Sequence, residues 1–122
     1  MIDSTRLQHI QRGDILYVDF GDQPGSVIHG IRPALVLQNN TGNRHSPTVI
    51  VAAITTCIKK VYQPTHIFLG KQFGLKENSM LLLEQIATVD KRQIINYVGT
   101  VSPQFMHTVN EAYAISIGLT NI

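Results

Sequence analysis

Short runs of apolar, mostly β-branched residues alternate along most of the chain with clusters of Gly, Pro, Asn and charged residues. Ile15, Tyr17, Val18 and Phe20 follow the turn-forming Arg12-Gly13-Asp14 in rough alternation with polar positions, which predicts a first strand. Residues 34–38, introduced by Arg32-Pro33, predict a second, because proline fits the start of a strand or a sheet edge. The polar stretch 39–44 reads as a loop, and residues 48–56 (TVIVAAITT) as a β-branched third strand. Residues 66–69, 80–89 and 97–101 supply a fourth, a long fifth and a short sixth strand, with one helical turn at 90–93 between the last two.

Near the carboxyl end the period changes. Ser102 can cap a helix that begins at Pro103, and Phe105, Met106, Val109, Ala112, Tyr113 and Ser116 then recur on one face. The pattern predicts a mainly β fold, an open barrel or strongly bent antiparallel sheet, closed by a C-terminal helix. The length of 122 residues suits a single domain.

Composition narrows the function classes. With 43% hydrophobic and 15% charged residues the chain can bury a core, which excludes a disordered protein. No apolar run reaches the ~18 residues of a membrane span, and no signal-like apolar segment opens the chain, so no membrane association and a cytoplasmic location are expected. The lone Cys57 cannot form an internal disulfide, and no Cys/His spacing suits zinc, so neither a metal nor another cofactor is expected. Walker A and G-x-G-x-x-G patterns are absent as well.

Net charge is only +2, but its distribution is uneven. Residues 23–76 contain no carboxylate, yet hold Arg32, Arg44, Lys59, Lys60, Lys71 and Lys76. Gathered on one face, these bases would suit a polyanion such as RNA; scattered over loops, they would merely solubilise the fold. Within this window lie a flexible Gly- and Pro-containing segment at 23–30, then Arg32, whose planar fork of donors matches two phosphate oxygens. Thr55 and Thr56 end an apolar strand, where a hydroxyl serves either a phosphate or the backbone.

Several ordered blocks then carry a resemblance. Arg12-Gly13-Asp14 with its Tyr-containing strand, Gly25-Ser26 and Gly30-Ile31-Arg32-Pro33-Ala34-Leu35-Val36-Leu37-Gln38-Asn39 come first. Gly42-Asn43-Arg44, Val51-Ala52-Ala53-Ile54-Thr55, Pro64-Thr65-His66 and Leu83-Glu84-Gln85-Ile86 follow in the same order. Together they resemble the MazF/PemK (Kid) family of toxin endoribonucleases, in particular its Gram-positive MazF branch. The likeness runs from about Arg12 to Leu119; residues 1–11 fall outside it and have no assigned role.

The resemblance implies an SH3-like curved β-barrel of the CcdB/Kid/MazF type, assembled as a homodimer and inhibited by a cognate MazE-like antitoxin. It implies metal-independent, ribosome-independent and sequence-specific cleavage of single-stranded RNA to 2′,3′-cyclic phosphate and 5′-hydroxyl ends, with Arg32, Thr55 and Ser26 as the catalytic residues. His29, Asn39, Asn43, Gln63 and Gln85 are the candidate RNA contacts, the amides by hydrogen bonding to exposed base edges. Glu84 and Asp90 read as structural, tying the long strand to Arg92 or to a dimer partner. Two segments depart from the family pattern. Val27 and Ile28 stand where relatives carry Glu-Gln, and Ala87 where many carry Arg. His29, beside the lost carboxylate, is either a substitute base or a solvent-facing loop residue. Two alternatives share the barrel: a non-catalytic CcdB-like relative that binds a protein such as DNA gyrase, and an RNA binder that does not cut.

Overall fold

The computed structural model describes residues 9–60 and 62–121, so most of the amino-terminal stretch without a role lies outside the described residues. The elements run β1 (Asp14–Asp19), β2 (Ile31–Val36), α1 (Asn40–His45), β3 (Thr48–Thr55), β4 (His66–Gly70), β5 (Ser79–Asp90), a 3-10 turn (Lys91–Gln93), β6 (Ile94–Thr100) and α2 (Pro103–Ser116). The strands form one six-stranded antiparallel sheet in the order β4-β5-β3-β2-β1-β6.

Both sides of this sheet are buried, which explains why β3 is apolar at nearly every position rather than at every second one. On one side Ile15, Leu35, Ala52, Ile54, Leu81 and Leu83 pack beneath α2, which contributes Met106, Val109 and Ala112. On the other, Leu16, Val18, Ala34, Val36, Val51 and Val89 form a second cluster as the sheet curls around them, with Ile28 packed against it. Each fully buried Leu, Ile or Val contributes about 1.5–3 kcal/mol relative to exposure, so the two clusters outweigh any surface ion pair in holding the curl.

The edge strands β4 and β6 are bridged by the loop between β4 and β5. Its Phe73-Gly74 backbone lies so close to Val98-Gly99 of β6 that a Cβ on Gly99 would come within 1.9 Å of the Phe73 carbonyl oxygen. Only glycine permits that approach. The Phe73 ring meets Phe105 of α2 edge-on at 5.2 Å, linking this closure to the helix. That helix starts as its sequence predicts: Ser102 Oγ accepts from the Phe105 amide, and Pro103 occupies the first turn.

Three boundaries differ from expectation. Residues 39–44 were expected to form a loop, but α1 forms because Asn39 caps it through the Gly42 amide, while the buried Asn43 amide donates to the Gln38 carbonyl. β6 begins at Ile94, three residues before the expected Tyr97, through pairing with β1. β2 begins at Ile31 and is central, although it contains Pro33. Proline is tolerated there because pairing with β3 starts only at Ala34. The turn at 91–93 appears as expected, capped by Asp90, whose carboxylate also pairs with Arg92 at 3.1 Å.

Candidate active site

Where β2 and β3 part company, Arg32 and Thr55 lie at the same end of the two strands. Ala34 pairs with Ala53 and Leu35 with Ala52, and the same register carried two residues further sets Arg32 across from Thr55 on one side of the sheet. The β2–β3 ladder stops before reaching them, while Arg32 still pairs with Val18 of β1 and Thr55 with Met80 of β5, and both are half-buried.

Each has its polar group partly committed. Arg32 Nε donates to the His29 carbonyl at 3.1 Å, and among the described residues its two terminal nitrogens have no protein acceptor. The guanidinium is therefore anchored at one edge and available at the other. Thr55 Oγ1 accepts from the Cys57 amide at 3.0 Å, which orients the hydroxyl and leaves its hydrogen for another acceptor. His29 is exposed, with Nδ1 3.1 Å from the Val27 carbonyl. That contact assigns the hydrogen of a neutral ring to Nδ1 and leaves Nε2 with a lone pair.

Two loops flank this pair, and a single irregularity in β5 holds both. Between Ala52 and Ala53 the pairing jumps from Ile86 to Leu82, leaving Leu83, Glu84 and Gln85 without partners on β3. Gln85 clasps the β1–β2 loop: its Nε2 donates to the Ser26 carbonyl at 2.7 Å, and its Oε1 accepts from the Ile28 amide at 2.9 Å. Glu84 accepts from His66 Nε2 at 2.5 Å, and His66 Nδ1 faces the Lys59 and Lys60 carbonyls at 3.3 and 3.2 Å. Both ring nitrogens thus face oxygen atoms, so the ring links β5 to the β3–β4 loop. The β3–β4 loop pinned in this way carries exposed Lys59 and Lys60, with Tyr62 86% exposed beside them.

On the other side of Arg32 a cleft of about 160 Å3 opens. Tyr17, Ile31, Pro33, Ile54 and Leu75 form its apolar wall, while Thr56, Lys76, Glu77 and Ser79 supply polar groups. Among the described residues no three His, Cys, Asp or Glu side chains cluster as metal ligands would.

Residues 11–117 match the family model described as PemK-like, MazF-like toxin of type II toxin-antitoxin system. The chain belongs to this toxin family. It is 43% identical to endoribonuclease EndoA of Bacillus subtilis (strain 168) over 111 residues, covering 90% of this chain and 96% of that protein. It is 44% identical to endoribonuclease MazF of Staphylococcus epidermidis over 113 residues, 92% of this chain and 94% of that one. Both relatives come from the Gram-positive branch that the sequence resembles. Among solved structures, a mycobacterial endoribonuclease in complex with its cognate antitoxin superposes with a TM-score of 0.77 at 28% identity, covering 93% of this chain and 99% of that one. MazF from Deinococcus radiodurans, at 20% identity, shares the fold with a TM-score of 0.77 over 89% of this chain and 96% of its own.

Within this MazF-like frame the residues singled out in the sequence separate into two groups. Arg32, Thr55, Ser26 and His29 converge at one end of β2 and β3, with Ser26 exposed in the clasped loop. Gln63, half-buried on the second loop, donates to Thr65 Oγ1 at 3.4 Å. Asn39 and Asn43 are not brought here. They sit in the connection at the opposite end of β2 and β3, where Asn39 caps α1 and Asn43 is fully buried. Gln85 has both ends of its amide engaged by the loop and so positions the loop backbone, with one Nε2 hydrogen not used in that clasp. Glu84 pairs with His66 rather than with Arg92, while Asp90 does take Arg92 as its partner. Tyr62 was not singled out in the sequence, and His66, Tyr17 and Lys76 were noted there without a place at this site. Tyr17 and Lys76 lie far apart in the chain and meet only at the cleft; Tyr62, an aromatic residue next to a basic pair, carried a usable signal.

Proposed function

We propose that this chain is an endoribonuclease toxin that cuts single-stranded RNA by attack of a ribose 2′-hydroxyl on the adjacent phosphorus. The 2′-oxygen–phosphorus bond forms as the bond from phosphorus to the 5′-oxygen breaks, giving a 2′,3′-cyclic phosphate and a 5′-hydroxyl. The 2′-hydroxyl loses a proton and the leaving oxygen gains one, so the step needs alignment, charge stabilisation and proton transfer, but no covalent enzyme intermediate.

The observation that carries this reading is the placement of Arg32 and Thr55 at the same end of β2 and β3, just beyond the last paired residues, with the free edge of the guanidinium uncommitted. The unpartnered edge of the guanidinium suits two non-bridging phosphate oxygens, and the Thr55 hydroxyl hydrogen suits one of them. A guanidinium keeps its proton, so Arg32 serves electrostatically. His29, with a lone pair on Nε2 and its own carbonyl bonded to Arg32, supports assignment as the group that moves the proton. Exposed Tyr62 beside Lys59 and Lys60 supports RNA as the substrate, because single strands are held by basic grooves and aromatic stacking. Inhibition by a MazE-like antitoxin belongs to the same reading, supported by the mycobacterial endoribonuclease solved with its antitoxin. Homodimeric assembly and cytoplasmic action complete it; among the described residues no helix is long and apolar enough to cross a membrane.

The test incubates purified protein, with EDTA present, with an unstructured RNA and with a copy carrying 2′-deoxyribose at the mapped cut. Cleavage of the first alone is expected, and Arg32→Ala should slow it about 10²- to 10³-fold. Cutting of the deoxy copy, or an Arg32→Ala variant as fast as the parent, would refute the mechanism. Loss of the acidic limb of the pH–rate profile in His29→Ala would fit the role of a base that must be deprotonated; an unchanged profile would remove it.

A further inference from the structure

A separate concave site lies at the other end of β2 and β3, away from Arg32, where α1 meets the segment leading into β1. It has a volume of about 520 Å3 and is lined by His9, Gln11, Arg44 and His45. That size falls within the roughly 300–1,000 Å3 of small-molecule sites. All four side chains can donate N–H, and no carboxylate lines the walls. What sets this site apart is that its arginine is uncommitted. Arg12 is bonded to the Leu37 carbonyl and to Asn110, Arg32 to the His29 carbonyl, and Arg92 to Asp90. Arg44 and His45 are both exposed, and among the described residues their side chains make no hydrogen bond or ion pair.

The surroundings favour a multiply charged anion. Arg44 and His45 stand in the last turn of α1, where free carbonyl oxygens would repel negative charge. Here the Asn43 carbonyl accepts from Lys91 Nζ at 2.6 Å, and the Gly42 carbonyl from the Ser46 amide at 2.8 Å. Lys91 thus covers the helix end and adds a positive charge beside Arg44. Asp14, the carboxylate bonded to the Gln11 segment, is buried and accepts from the Gln11 amide at 2.9 Å and the Thr100 hydroxyl at 2.8 Å. Asp90, next to Lys91, holds Arg92. A guanidinium with every donor free matches two oxygens of a phosphate group, and His45 and the Gln11 amide supply donors for further oxygens. We infer that this cleft binds an oligophosphate group, a chain of two or three phosphates that is either free or carried on a nucleoside. A concave wall built from two segments suits such a compact ligand better than an extended strand. The eight residues of β3 separate it from Thr55 by roughly 20–25 Å, so the ligand leaves the cleavage site open.

The test follows backbone amide NMR signals of the full-length chain during titration, without divalent metal, with tripolyphosphate, with adenosine triphosphate and with an uncleavable 2′-O-methyl RNA ending in a 5′-hydroxyl. Both oligophosphates should shift the amides of Gln11, Arg44 and His45 saturably. Arg44→Ala should weaken this binding by about 10- to 150-fold, the range for hydrogen bonds to a charged group. Arg44→Lys, which keeps the charge but loses the fork, should weaken it less. Arg92→Ala makes the same change of charge at a paired arginine nearby and should alter binding by no more than about 2-fold. Equal affinity for the two oligophosphates assigns recognition to the phosphates alone, and tighter binding of the nucleotide adds a nucleoside contact; either result supports the site. Absence of saturable shifts at these amides overturns the inference. So does an Arg44→Ala variant that binds as tightly as the parent, or an Arg92→Ala variant weakened as much as Arg44→Ala. Tighter binding of the 2′-O-methyl RNA at the same amides would give the cleft to a nucleic-acid strand and overturn it as well.

Discussion

Glu84 and Gln85 are neighbours in the β5 bulge, yet each holds a different loop: Glu84 fixes the β3–β4 loop through His66, and Gln85 fixes the β1–β2 loop at Ser26 and Ile28. A bulge frees backbone and side chains from the ladder, and here the freed residues position both walls of the site. The precision with which Arg32 is placed thus depends on a strand two positions away in the sheet.

Gln85→Ala should loosen the Ser26–Ile28 segment while the barrel persists. One such hydrogen bond contributes about 0.5–1.5 kcal/mol, so exchange of the Ile28 amide should speed up by roughly 2- to 10-fold. RNA cleavage should fall with it, because Arg32 is anchored to the same loop. Hydrogen exchange on the Ile28 amide, read beside kcat, checks this; unchanged exchange would show that the clasp holds nothing.

His66→Ala should release the Lys59 and Lys60 carbonyls, and Glu84→Gln should do so in part. Both lysines are exposed, so the readout is the rate of tryptic cutting after them under native conditions, expected to rise several-fold in His66→Ala while the remaining sites keep their order. Equal rates in parent and variant would refute the role given to His66.

Gly99→Ala tests the closure between β6 and the β4–β5 loop. The added Cβ would fall 1.9 Å from the Phe73 carbonyl oxygen, so backbone must move. Overpacking of this kind costs about 1–3 kcal/mol, which should appear as a lower urea midpoint with an unchanged slope.

Asp90→Asn separates charge from capping, since an amide oxygen can still accept from the Arg92 amide. The side-chain hydrogen bond from Arg92 holds the Asp90 carboxyl below its ordinary value of 3.8 and raises Arg92 in turn. Because the folded value is depressed, the stabilisation is present above 3.8 and is lost as pH falls through the lower folded value. Parent Tm should therefore exceed that of Asp90→Asn slightly at pH 7, with the gap closing in acid and in high salt. A gap that persists below pH ~2 would assign it to something other than charge.

Much of this architecture was legible from local pattern. The β-branched run of β3 and the Ser102-Pro103 start of α2 depend on short-range sterics and capping, which neighbouring residues determine. Arg32 and Thr55 could be singled out by chemistry and by resemblance to the MazF-like family. Asn39 and Asn43 show where that reading stops, because the same amide suits an RNA base or a helix cap, and only the path of the chain decides between them. Likewise Gln85 carries the polar ends expected of a base contact, but a bulge in its strand turns both toward a loop 57 to 59 residues away. Sequence alone determined the strands, the C-terminal helix, the family and the chemical types available, since these follow from neighbours along the chain, whereas α1 was read as a loop. Tertiary structure decided which polar groups remain unpartnered and which residues share a cleft, because hydrogen-bond satisfaction and cavities arise only when distant segments compete for the same space.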